Sequence, residues 1–223
     1  MAVLISGHGS NMAAIARACL AGDIRAQVTR VIADREDAGG LALARSLGLD
    51  TAVVAAQGFA ERSGFEAALA HAIDSSGAEL VVLAGFMRIL SAELVARYAG
   101  RILNIHPSLL PRHKGLQTHR RVLAAADTEH GVSVHFVTGE LDGGPVILQA
   151  RIAVRSDDTE QTLAARVQQQ EHRIYPQVIG LIADGRLQLA GATIMLDGRA
   201  LAAPIVQDAG LAENNHAQRT NSL

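Results

Sequence analysis

Short apolar runs alternate along the first half of the chain with longer segments in which apolar residues recur every three or four positions. The runs at 2–5, 28–32, 51–55, 80–83 and 102–105 read as β-strands. Between them the spacing turns helical: Met12, Ile15, Ala16, Cys19 and Leu20 fall at i, i+3, i+4, i+7 and i+8, and similar stripes mark 41–47, 66–73 and 92–98. Such alternation implies right-handed crossovers and an α/β fold with a doubly wound, mostly parallel sheet. Beyond residue 131 the pattern changes. Residues 132–137 and 146–153 are strand-like and joined by Asp142-Gly143-Gly144-Pro145, which predicts a partly antiparallel edge. The spacing predicts a helix over 159–182, with Leu163, Val167, Ile174, Val178 and Leu181 as its apolar stripe. Asp197-Gly198 then turns a C-terminal hairpin between 193–196 and 200–201. With no internal repeat and no long linker, 1–211 reads as one domain, and the polar stretch 212–223 as a disordered tail.

Composition narrows the function. A chain of 223 residues, 49% hydrophobic, can bury a sizeable core without staples. Its 20 basic and 22 acidic residues leave a net charge of -2, which argues against a nucleic-acid partner, so any anion must be held locally. A single cysteine, Cys19, cannot form an internal disulfide and fits a reducing compartment. The start lacks the basic and long apolar regions of a signal peptide, and no apolar run is long enough to span a bilayer. A cytoplasmic protein without membrane attachment is expected.

The first predicted strand runs through Ser6-Gly7-His8-Gly9-Ser10-Asn11 straight into the first helix. Free backbone N–H groups and a positive helix end at a sheet's carboxyl edge make a phosphate cradle. The same residues also read as a plain tight turn with an N-cap. A dinucleotide loop fits less well, because Met12 follows where a third glycine would be needed. In the fifth strand Asn104 and His106 share one face, and Pro107 ends the strand beside them at the ligand-binding edge of such sheets. Asp142 lies in a glycine-rich turn and gains interest only as a partner for His106, since a nearby carboxylate stabilises imidazolium and suits proton transfer. Glu171 falls on the apolar stripe of the long helix and needs a partner there; Pro176 frees the carbonyl of His172 nearby. His113, His119, His130 and His135 show no metal-ligand spacing, and no G-x-S-x-G elbow surrounds Ser10 or Ser108, so neither a metal nor a serine nucleophile is expected.

Four segments together carry a resemblance: the loop 6–11, Gly85-Phe86-Met87-Arg88-Ile89-Leu90, Asn104-Ile105-His106-Pro107-Ser108-Leu109-Leu110-Pro111, and Leu141-Asp142-Gly143-Gly144. Over residues 2 to 201 the chain resembles the folate-dependent phosphoribosylglycinamide formyltransferase family. The resemblance implies a formyltransferase fold with a seven-stranded sheet, a phosphate-binding half at about 1–100 and a folate and catalytic half at about 101–211. It implies transfer of a formyl group from 10-formyltetrahydrofolate, as cosubstrate, to the amine of 5-phosphoribosylglycinamide in purine synthesis, without a metal. By position, it assigns catalysis to Asn104, His106 and Asp142. Gly9, Ser10, Asn11 and Glu171 fall to the ribonucleotide, and Arg62, Met87, Arg88, Ile89, Leu90, Asn104, Gly139, Glu140, Leu141 and Asp142 to the folate. Small-molecule substrates and a monomer or weak homodimer are implied. Departures from the family pattern are His8, Gln117 and Gly139, which bear on affinity. The segment 110–131, with its Pro, Gly and basic residues, is a candidate lid. Formyltetrahydrofolate deformylase, a hydrolase, shares the Asn-His-Asp chemistry but carries an extra N-terminal domain. Methionyl-tRNA formyltransferase carries an RNA-binding C-terminal domain. Neither extension is expected here.

Overall fold

The computed structural model describes residues 1–209; the expected tail at 212–223 lies, with residues 210 and 211, outside them. The predicted alternation forms β1 (Ala2–Ile5), α1 (Ser10–Leu20), β2 (Arg30–Ala33), α2 (Gly39–Ser46), β3 (Thr51–Val53), α3 (Arg62–Asp74), β4 (Val81–Leu83), α4 (Ala92–Arg97) and β5 (Ile102–His106). Next come α5 (Thr118–Ala124), β6 (Glu129–Phe136), β7 (Val146–Ala153) and α6 (Glu160–Ala183), then β8 (Leu187–Ala190), β9 (Thr193–Leu196), β10 (Arg199–Ala200) and β11 (Ile205–Asp208).

The main sheet has the order β11-β7-β6-β5-β4-β1-β2-β3, with β6 antiparallel to both neighbours and every other pairing parallel. It holds eight strands, one more than the seven expected. The added strand, β11, is short and half exposed, so it shows no apolar run; an Arg151–Asp208 ion pair at 2.7 Å fixes it beside β7. The C-terminal hairpin forms at Asp197-Gly198, both at positive φ, and β8 joins it to make a separate three-stranded sheet. The candidate lid contains α5, whose two-turn length was too short to stand out from the surrounding polar residues.

Central strands are apolar on both sides because helices cover both faces. Val3, Ile5, Leu103 and Ile105 meet Met12, Ile15, Val167 and Val178 of α1 and α6 in one core. Ala2, Leu4 and Ile102 meet Phe65 and Leu69 of α3, Leu94 of α4 and Tyr98 at its end in the other. α6 opens on a Thr159–Thr162 capping box and runs through Pro176 without a break. One turn from Glu171, the fully buried Tyr175 donates its hydroxyl to the carbonyls of Leu83 and Leu103, at 2.9 and 3.2 Å, fastening α6 to β4 and β5. Burial pushes the phenol pKa far up and keeps it a donor. No helix among the described residues is long and apolar enough to cross a membrane. Tyr175→Phe is expected to cost about 1 kcal/mol in urea denaturation with an unchanged m-value; an unaltered midpoint would show that the fastening carries no stability.

Candidate active site

β1 and β4 lie side by side at the middle of the sheet, and the chain leaves their carboxyl ends toward different neighbours. Such a switch point leaves a crevice. On one side, Gly9 caps α1 in the left-handed region, φ 75°, with no side chain bonded to the helix end, so the first-turn N–H groups face outward from the loop. A Cβ on Gly9 would stand 2.8 Å from Cα of Gly40, and Gly40 N–H donates to the carbonyl of Gly7 at 2.9 Å. Gly9 is therefore required twice, by its φ and by contact with α2. Asn11 donates to Glu171 Oε2 at 2.7 Å, and Gln168 Nε2 reaches Ser10 Oγ at 3.2 Å. The structure thus brings Gly9, Ser10, Asn11 and Glu171, grouped above by the family resemblance, to one side of the crevice. Gln168 was missed, although it lies three residues before Glu171 and so on the same helix face.

Glu171 has Asn11 as its sole described donor, and burial raises its pKa against that hydrogen bond. Asn11 Oδ1 beside it is buried and, among the described residues, has no hydrogen-bond partner.

On the other side of the crevice, the end of β5 presents Asn104 and His106, as alternation predicts. β6 pairs antiparallel with β5 so that His135 stands opposite Asn104. His135 Nδ1–H donates to the carbonyl of Phe136 at 2.9 Å, leaving Nε2 to accept from Asn104 Nδ2 at 3.1 Å. Burial lowers the His135 pKa, which keeps the ring neutral and able to accept. His106 Nε2 lies 3.0 Å from the carbonyl of His113, an acceptor only, so Nε2 carries hydrogen and Nδ1 is the free nitrogen. Asp142 approaches that Nδ1 to 3.5 Å and His135 Nε2 to 3.8 Å. Its φ of 47° and the 2.8 Å bond from Gly115 N–H to Oδ2 make it a turn residue and a partner of His106 at once. His135, His113 and Gly115 were not legible in the sequence, because strand register and loop path bring them in.

Asn104, His106 and Asp142 line a cavity of about 430 Å³, together with Met87, Arg88, Ile89, Leu90, Gly139, Glu140 and Leu141. Gln117 and Gly115 of the candidate lid line it as well, and Lys114 bridges to Glu140 at 2.7 Å. Arg62 does not line it. It faces a neighbouring cleft of about 510 Å³ and donates to Glu66 and to the carbonyl of Ile89. Among the described residues no group of His, Cys, Asp and Glu side chains converges on a metal-sized site.

A family model described as formyl transferase matches residues 1–179. The chain belongs to the formyl transferase family. It is 53% identical over 199 residues to the phosphoribosylglycinamide formyltransferase of Escherichia coli K12, covering 89% of this chain and 94% of that one. It is 43% identical to the enzyme of the same name from Haemophilus influenzae Rd, covering 90% and 95%. The solved phosphoribosylglycinamide formyltransferase of Coxiella burnetii superposes with a TM-score of 0.88 at 45% identity, over 92% of this chain and 97% of that structure.

Two expectations follow from the loop between β1 and α1 and its contact with α6. Gly9→Ala should cost about 1–2 kcal/mol or more in denaturation, from the left-handed φ and the contact with Gly40; a neutral effect would contradict the packing. For Glu171, the raised pKa means that the carboxyl costs nothing below the ordinary glutamate range and destabilises the fold once pH exceeds both folded and unfolded values. Glu171→Gln keeps an acceptor for Asn11, so its stability gain over the parent should be larger near pH ~7 than near ~4. The reverse order would rule out a poorly solvated carboxylate.

Proposed function

We propose that this protein transfers the formyl group of 10-formyltetrahydrofolate to the amine of 5-phosphoribosylglycinamide. The observation that carries the reading is the convergence of Asn104, His106 and Asp142 in a largely apolar cavity, next to a bare helix N-terminus suited to phosphate. In this reading the cavity takes a flat heterocycle between apolar walls. Its walls include Met87, Ile89, Leu116 and Leu141, and it is bordered by the main chain of residues 87–90 and 139–142. In this reading Gly9, Ser10 and Asn11 hold the substrate phosphate, Glu171 and Gln168 meet the ribose side, and the cavity takes the folate ring.

As the substrate amine attacks the formyl carbon, the new C–N bond forms and the bond to N10 of the folate breaks. Negative charge develops on the formyl oxygen. Asn104 has one Nδ2 hydrogen left after serving His135, and this hydrogen stabilises that oxygen. His106 works through Nδ1, with Nε2 fixed on the His113 carbonyl, and carries a proton between the amine and the leaving nitrogen. Asp142 stabilises the protonated ring and orients it. The protein acts in the cytoplasm on small molecules, as a single domain over 1–211 and as a monomer or weak homodimer.

Likeness to transferases of this name favours transfer over the deformylase reading. Incubation with 10-formyltetrahydrofolate alone should release little formate, and adding the ribonucleotide should yield formylated product; rapid formate release without it would identify a hydrolase. Asp142→Asn should lower kcat by on the order of 10² to 10⁴ with ribonucleotide binding little changed. His106→Ala combined with Asp142→Asn should lose much less than the product of the single losses. Multiplicative losses in steady-state kinetics would separate Asp142 from His106.

A further inference from the structure

The loop Met87–Leu90 is a partition: Met87, Arg88 and Ile89 line both the 430 Å³ cavity and the 510 Å³ cleft behind it. Among the described residues, residues 86–90 make no backbone–backbone hydrogen bond of their own. A connection without internal bonds takes its shape from what grips it. Four side chains do so. Ser6 Oγ accepts from Met87 N–H at 2.9 Å, and Asp34 Oδ2 accepts from Arg88 Nε at 2.6 Å. Arg62 donates to the carbonyl of Ile89 at 2.6 Å, and Glu66 Oε1 accepts from Ser91 N–H at 2.8 Å and from Arg62 at 2.9 Å.

Asp34 and Glu66 are buried carboxylates, 5% and 9% exposed, and the formyl-transfer chemistry uses neither. Burying two carboxylates behind a loop is costly unless they are bonded, and what they bond is the loop and its anchors. The Ser91 and Arg62 donors hold the Glu66 pKa below the ordinary glutamate range despite burial. Arg88 is drawn toward Asp34 and lies over the Phe65 ring at 5.4 Å. Among the described residues Asp34 Oδ1 has no hydrogen-bond partner, and Arg88 is the side chain that anchors this carboxylate.

We propose that Asp34 and Glu66, with Arg62, are positioning residues for folate: they fix the main chain of residues 87–91 so that its unpaired groups meet the edge of the ring. Arg62 then acts through the loop. The proposal rests on the folate reading of the cavity, and the test separates the two. Tetrahydrofolate and 5-phosphoribosylglycinamide are titrated separately by calorimetry into the parent, Glu66→Ala, Glu66→Gln, Asp34→Ala and Arg62→Met, with melting curves for each. Glu66→Ala and Asp34→Ala should weaken tetrahydrofolate on the order of tenfold and leave the ribonucleotide within about twofold. Glu66→Gln, which keeps an acceptor for Ser91, should recover most of the loss. Arg62→Met, at an exposed position that leaves no buried gap, tests the idea even if the alanine variants unfold. It should weaken tetrahydrofolate about threefold, and combined with Glu66→Ala it should cost less than the product. In the ¹⁵N-labelled parent, the amide signals of residues 87–91 should move with tetrahydrofolate. If they do not, the folate reading falls and the proposal with it. If they move while the variants bind as the parent does, or lose both ligands equally, the positioning role alone is overturned.

Discussion

Parallel pairing of β1 between β2 and β4 is the constraint from which the site follows. A strand buried on both faces cannot carry polar side chains along its length, so β1 is apolar throughout. Polar chemistry is forced to the point where the chain leaves the sheet. Because β2 and β4 lie on opposite sides of β1, the loops after β1 and β4 part there and open the crevice. One wall becomes the loop that enters α1 and the other the partition of residues 87–90. β5, next in order, adds Asn104 and His106, and β6 turns back to bring His135 and Asp142 against them.

Residues whose role follows from local periodicity were legible in the sequence. Asn104 and His106 share a face because side chains alternate in a strand, and Glu171 points inward because it continues the stripe of Val167. Gly9 was legible as a loop glycine but not as a contact of Gly40, which lies in another element. His135 depends on the antiparallel β5–β6 register, which no local pattern encodes. β8 and β11 are short edge strands whose half-exposed sequences resemble loops. Asp142 was ambiguous for a physical reason: the left-handed turn that marks a hairpin is also what aims its carboxylate at His106. Asp34 and Glu66 carried no signal, since each is an ordinary acidic residue until the β4–α4 loop is laid against it.

Glu66 and the half-buried Glu171 show how the surroundings decide a carboxylate's character. Glu66 receives Ser91 N–H and the Arg62 guanidinium, and its pKa falls. Among the described residues Glu171 receives one amide, which does not offset its desolvation, and its pKa rises. The first belongs to a rigid frame whose donors are all within the protein. The second, with spare acceptor capacity in the crevice beside a helix N-terminus, is suited to take hydroxyl donors from a ligand.

The mouth of the cavity has one further consequence. Met87, Ile89, Leu116 and Leu141 are each at least half exposed, an unusual grouping of large apolar side chains around a single opening. Any occupant that covers them releases the water they order, so its binding enthalpy must grow more favourable with rising temperature. The heat-capacity change of association thus reports how much of this rim a ligand touches, and distinguishes a molecule lodged at the triad from one that also lies across the entrance.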